Sequence, residues 1–94
     1  MSLSYALEKL RNAVSCLVTD PGTILARLAG VINAGVLHVD KNDIPSDLSG
    51  DLQLVQDGLG KVINGNIDEQ EASELAEKIF LLYEKVMERV SRAG

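Results

Sequence analysis

The stretch NGNIDEQEASEL, residues 64–75, can be read as a calcium-binding loop or as the boundary between two helices. A calcium loop of the EF-hand type needs Gly at its sixth position and Glu at its twelfth, where this chain has Glu69 and a leucine. The helix boundary fits better, because Gly65 can end one helix in the left-handed conformation, and Asp68 with Glu71 forms a capping box for the next. The stretch therefore predicts a tight turn between two helices and no metal site.

The chain on both sides of this turn has helical spacing. After the turn, apolar residues cover about 160° of a helix predicted from Glu69 to Ser91, and Leu81 points away from that stripe. An exposed leucine is common on soluble proteins, but Leu81 is also a candidate interface residue. Before the turn, apolar residues repeat at intervals of four and three and predict a third helix. They are Leu48, Leu52, Val55, Leu59 and Val62. Gly58 and Gly60 weaken this helix, so its last turn is expected to fray or bend, or to accept a close neighbour.

Upstream, residues 38–47 have the polar and proline composition of a connection. The spacing of Ile, Leu and Val predicts a second helix over residues 21–36, in which Asp20 would be the N-cap and Pro21 the first helical residue. A first helix is predicted over residues 3–18 from apolar residues at intervals of four and three.

The second helix carries a wide apolar face and, beside it, small residues at every fourth position. These small residues are Gly22, Ala26, Gly30 and Ala34. A stripe of this kind allows the close approach of another helix, either from the same chain or from a second copy. Packing within the chain is the more ordinary use, and a dimer seam is the alternative. Together with Leu81, the four residues make up the candidate interface.

Composition narrows the class of partner. The chain has 94 residues, of which 46% are apolar and 24% charged, so we expect a single globular domain over residues 1–94. The net charge of −5 opposes binding to nucleic acid and to anionic lipid, and the basic residues form no cluster. No apolar run is long enough to span a bilayer. With one cysteine and no secretory pattern at the N-terminus, a cytoplasmic location is expected.

Reactive side chains are few. Cys16 is the single cysteine and His38 the single histidine, and nothing in the pattern makes them a catalytic dyad or a zinc site. The DGLGK stretch at residues 57–61 lacks the first Gly and the Ser or Thr of a phosphate-binding loop. We therefore predict no enzymatic activity, no cofactor and no metal. The alternative is a ligand-binding or catalytic cleft between helices that would contain Cys16, His38, Tyr5 or Tyr83.

Three segments resemble a group of small bacterial helical proteins that have no assigned function. They are LEKLRNAVSCLVTDPGTILARLAG, DIPSDL and ASELAEKIFLLYEKV. The resemblance covers most of the chain through its apolar spacing around PGTILARL. It implies a bacterial origin and an all-helical fold, and it implies no activity.

These observations predict an all-α protein with four antiparallel helices around a Leu, Ile and Val core. The function that we expect is a non-catalytic interaction or regulatory module acting as a small helical oligomer, a homodimer. A groove that accepts a helix of another protein is a further possibility, which an exposed apolar patch would favour.

Overall fold

Four α-helices make up most of the structure, a computed structural model that describes residues 3–19 and 21–93. The helices are Leu3–Thr19 (α1), Ile24–Asn33 (α2), Ser49–Ile63 (α3) and Glu69–Ala93 (α4). No strand occurs in these described ranges, and the predicted all-α fold is confirmed. The bounds of α1, α3 and α4 agree with the prediction to within two residues at each end, because each helix has a clear apolar repeat.

All four helices contribute to one aliphatic core. Leu10, Leu28, Leu59 and Ile79 are each completely buried, and they come from α1, α2, α3 and α4 respectively. Full burial of one such side chain stabilises the fold by about 1.5–3 kcal/mol. The predicted Leu, Ile and Val core of a four-helix bundle is therefore confirmed.

The turn between α3 and α4 has the predicted construction. Gly65 adopts a φ of 68°, and the amides of Gly65 and Asn66 donate hydrogen bonds of 3.1 and 2.9 Å to carbonyls in the last turn of α3. The Asp68 carboxylate accepts a hydrogen bond from the Glu71 amide at 2.8 Å, and the Glu71 carboxylate accepts one from the Asp68 amide at 3.3 Å. These contacts satisfy backbone groups at both helix ends, so α3 and α4 form a closed antiparallel hairpin.

The start of α2 differs from the prediction. Pro21 lies before the helix, and the N-cap is Thr23, whose hydroxyl accepts a hydrogen bond from the Ala26 amide at 3.2 Å. The predicted cap, Asp20, lies outside the described residues. Gly22 has a φ of 108°, a conformation that cannot belong to a right-handed helix. The TDPGT stretch therefore forms a turn, and the helix begins only after it.

The end of α2 also differs from the prediction. The helix ends at Asn33 and does not reach Val36, because Gly35 adopts a φ of 93° and turns the chain away. A side chain at position 35 would also be crowded, since a Cβ there would lie 3.2 Å from Cδ of Lys9. The second helix is consequently shorter than the apolar pattern suggested.

The connection between α2 and α3 is more ordered than its composition indicated. It contains three short 3₁₀ turns, Val36–His38, Lys41–Asp43 and Ser46–Leu48. The side-chain amide of Gln56 in α3 donates hydrogen bonds to the carbonyls of Val36 (3.2 Å) and Val39 (2.8 Å). One glutamine thus fastens the first part of the connection to α3.

Candidate interaction surface

The small residues of the second helix do not form one continuous stripe. Gly22 lies in the turn before α2 and Ala34 is the C-cap, so only Ala26 and Gly30 lie within the helix. Ala26 is exposed, whereas the carbonyl of Gly30 accepts a hydrogen bond from Cys16 Sγ of α1 at 3.7 Å. The helical stripe is shorter than predicted because Gly22, with its φ of 108°, stands outside the helix. Its role as a candidate interface stays a prediction. At Gly30, the contact that the structure shows is one within the chain.

The residues expected in a cleft are dispersed. His38 is exposed, whereas Tyr5, Cys16 and Tyr83 are half-buried at the margin of the core. The ammonium of Lys9 lies 5.4 Å from the centre of the Tyr5 ring, a cation–π contact. Three surface cavities within the described ranges measure about 150, 180 and 300 Å³, and none of these four residues lines any of the three. These cavities are therefore not the cleft that the sequence offered as an alternative.

Leu81 lies on a groove between α3 and α4. Its side chain is 53% exposed, as expected from its position off the apolar stripe, and Leu54 on the opposite helix is 54% exposed. Both leucines line the same cavity of about 150 Å³. From Leu54 the depression continues toward the α3–α4 turn past Gly58 and Leu75. We call this depression, with the two leucines at its centre, the α3–α4 groove.

Gly58 explains how close the two sides of the groove are. A Cβ at this position would lie 2.6 Å from Cδ1 of Leu75 in α4, well inside van der Waals contact. Gly60 lies two residues further along α3, and a Cβ there would have no atom within 4 Å. The close neighbour predicted for this part of the third helix is therefore present at Gly58.

Leu54 was missed by the sequence analysis because it lies outside the repeat of apolar residues that defined the third helix. The same reasoning that singled out Leu81, a leucine that points away from a helix's apolar stripe, would have found it. Its proximity to Leu81 depends on how α3 and α4 pack, and the sequence pattern contains no information about that distance.

Ion pairs join the two sides of the groove and continue beyond it to the 3₁₀ turn before α3. Each pair has one member on α4 and the other on α3 or on the 3₁₀ turn that precedes α3, and the side chains are between 35% and 59% exposed. The pairs are Lys85 with Asp51 (2.9 Å), Lys61 with Glu71 (3.4 Å) and Arg89 with Asp47. The acidic member is on the α3 side at one end of the groove and on the α4 side at the other.

One of these pairs shifts the pKa of both of its members. The pKa of Asp47 lies below its ordinary value because the Arg89 guanidinium donates hydrogen bonds to the carboxylate. The same hydrogen bonds raise the pKa of Arg89. Both groups are therefore held in their charged forms over the whole neutral range.

The lining of the groove is aliphatic and charged. It consists of aliphatic side chains, Lys, Asp, Glu and one glycine, with no His, Cys, Ser or Thr. Among the described residues, no group of three or more His, Cys, Asp and Glu side chains is placed to hold a metal ion. In the same described ranges, no helix combines the length and apolarity needed to cross a membrane. What the groove can do is bury apolar side chains within a rim of paired charges.

Comparisons with known proteins found no match to this chain among protein-family models, curated proteins or solved structures.

Proposed function

We propose that the protein is a non-catalytic interaction module that acts as a small helical oligomer and docks through the α3–α4 groove. The observation that carries this proposal is the pair of half-exposed leucines, Leu54 and Leu81, side by side on one cavity. Clustered apolar surface with a polar rim is typical of protein interaction sites, whereas isolated exposed leucines are not. The proposal includes a protein partner, since the net charge of −5 opposes phosphate-rich partners. It also includes a cytoplasmic setting.

The size of the apolar contact indicates weak association. Burying the exposed half of a leucine contributes roughly 1 kcal/mol, and a docked pair of molecules must also offset the loss of translational and rotational freedom. The two leucines of each molecule give about 4 kcal/mol in a dimer, so the surrounding contacts must contribute the remainder. We therefore expect weak association, with a dissociation constant of hundreds of micromolar to about 1 mM, about 4–5 kcal/mol.

A ligand-binding cleft receives less support. Small-molecule pockets measure about 300–1,000 Å³, whereas the cavity between the two leucines measures about 150 Å³. That cavity also lacks the convergent neutral polar groups that orient a small ligand, because its polar lining consists of Asp51, Lys78 and Lys85. A neighbouring cavity of about 300 Å³ reaches the size range, but apart from one leucine its lining consists of charged side chains that already pair with one another.

Sedimentation equilibrium tests the proposal over protein concentrations from about 10 μM to about 1 mM. The wild-type chain is compared with a Leu54→Gln/Leu81→Gln variant, which removes apolar area and leaves the charges unchanged. Ile63→Gln is the matched control, because Ile63 is 59% exposed and does not line the groove. Circular dichroism establishes that all three chains are folded.

We expect self-association of the wild type and of Ile63→Gln, and a loss of association in the double variant. A wild-type chain that stays monomeric at the highest concentration would refute the oligomer. A double variant that associates as tightly as the wild type would show that the groove is not the docking surface.

A further inference from the structure

The charges along the α3–α4 groove determine how a second molecule can fit onto it. We infer that the occupant of the groove is a second copy of this chain, related to the first by a two-fold axis running along the groove, so that α4 of each copy lies on α3 of the other. This inference rests on the proposed function, since it requires that the groove be a docking surface. Two-fold dimers use the same patch on both subunits, so the patch must be complementary to itself.

The two sides of the groove are complementary at each level along it. At one level Lys85 of α4 is 2.9 Å from Asp51 of α3. Near the middle, Leu81 of α4 shares a cavity with Leu54 of α3. At the other end the signs are exchanged, and Lys61 of α3 pairs with a glutamate of α4 at 3.4 Å.

A two-fold axis parallel to the groove places the α3 side of one copy on the α4 side of the other. Each residue keeps its position along the direction of the groove. Lys85 then faces Asp51 of the second copy, Leu81 faces Leu54 of the second copy, and Lys61 faces Glu71 of the second copy. Each favourable pair within the chain is thus repeated between chains. Because α3 and α4 are antiparallel, every helix in the resulting group of four is antiparallel to its neighbours, which is the usual arrangement of a helix bundle.

A two-fold axis across the groove would give the opposite result. It would place α4 against α4 of the second copy in reverse direction about Leu81, the middle residue of Glu69–Ala93. Residues on the groove side of α4 at similar distances before and after Leu81 would then meet, whereas Glu77 and Glu84 do not line the groove. Lys78 would face Lys85 of the second copy, and Glu74 would face Glu88. Like charges would face each other at both levels, so this orientation is disfavoured.

The charged residues remain accessible for a second contact. The side chains of Lys85 and Asp51 are 50% and 40% exposed although they form an ion pair. Exposed pairs contribute little to affinity, so we assign the leucines to affinity and the ion pairs to the choice of orientation.

A mixing experiment with charge-reversed chains tests the orientation. Lys85→Glu places a carboxylate against Asp51 of the second copy, and Asp51→Lys places an ammonium against Lys85. Each variant alone is expected to self-associate about tenfold more weakly than the wild type, because two attractive contacts per dimer become repulsive. In an equimolar mixture, Glu at position 85 of one chain meets Lys at position 51 of the other, and the wild-type contact is kept on the other side. The mixture is expected to associate within about twofold of the wild type.

Sedimentation equilibrium measures the three samples, and thermal melts establish that each chain is folded. If either variant does not fold, Lys61→Glu and Glu71→Lys provide the same test at the other end of the groove. If the association of the mixture does not return to near the wild-type value, the inference is overturned. It is also overturned if the Lys85→Glu chain associates more tightly than the wild type, because that is the result expected for an axis across the groove.

The two proposals fail separately. If the wild type associates and the Leu54→Gln/Leu81→Gln variant does not, but mixing gives no recovery, the orientation is wrong and the docking surface stands. If the wild type is monomeric throughout, both are wrong.

Discussion

Replacing Gly58 and Gly60 with alanine separates the effect of close packing from that of helix propensity. Both glycines lie within α3, two residues apart. In a helix interior, Gly→Ala usually stabilises a protein by about 0.5–1 kcal/mol, because alanine loses less backbone entropy on folding. Gly60 has nothing within 4 Å of its Cβ position, so Gly60→Ala should give that gain.

Gly58→Ala should have the opposite sign. The new Cβ would lie 2.6 Å from Cδ1 and 3.3 Å from Cγ of Leu75, about 1 Å inside the optimal carbon–carbon separation for the nearer atom. Leu75 is only 4% exposed, so its side chain can yield only by moving into the adjoining part of the groove or by displacing its neighbours in the core. Overpacking of this kind costs about 1–3 kcal/mol, which exceeds the gain in propensity. We expect a net loss of about 0.5–2 kcal/mol in the free energy of unfolding.

Urea unfolding followed by circular dichroism measures both variants, at about 5 μM protein so that self-association does not contribute. In a Leu75→Ala background the steric conflict is removed, and Gly58→Ala should then stabilise the protein as Gly60→Ala does. If Gly58→Ala stabilises the otherwise wild-type chain as much as Gly60→Ala, the close approach of α3 to α4 does not constrain the groove and the reasoning is refuted.

Two further predictions concern polar contacts. Gln56→Ala removes the side-chain amide that donates to the carbonyls of Val36 and Val39. The Val36 carbonyl keeps its hydrogen bond from the Val39 amide at 3.1 Å, so the loss falls mainly on the Val39 carbonyl. Urea unfolding should show a free energy of unfolding lower by about 1–2 kcal/mol, and an unchanged midpoint would contradict this. Asp47 has a pKa below its ordinary value in the folded protein, so its contribution to stability is present above the unfolded-state pKa and is lost as the pH falls through the folded-state value. Arg89→Gln should return the pKa of Asp47 toward its ordinary value in a carboxyl-carbon NMR titration, and a titration identical to that of the wild type would contradict the assignment of its cause.

The sequence predicted those parts of the fold that are specified by residues close together in the chain. The turn at residues 64–68 was predictable because Gly65, Asp68 and Glu71 act on backbone groups within a few positions of themselves. The ends of α2 were not. Asp20 and Pro21 have the residue types of a helix start and the apolar spacing reaches Val36, but Gly22 and Gly35 adopt left-handed backbone angles that exclude those segments from the helix.

The candidate site was predicted only in part. The exposure of Leu81 follows from its angular position on one helix, and that prediction is confirmed. The groove depends on the distance between two helices, which is determined by a contact between Gly58 and Leu75 that the apolar repeats do not encode. Sequence periodicity identifies the residues on each face, whereas the pairing of faces is a property of the packed structure.

The short turn between α3 and α4 has a consequence for the order of folding. Closing a loop over residues 64–68 loses little chain entropy, whereas joining α1 or α2 to this hairpin requires much longer segments to be ordered. The connection between α1 and α2, residues 20–23, is equally short, so both helix pairs have a low entropic barrier to assembly. We expect the amides of the α3–α4 hairpin to be protected early in pulse-labelled hydrogen exchange during refolding. Since both walls of the groove belong to this hairpin, the proposed docking surface can form in a refolding chain before the α1–α2 pair has packed onto it.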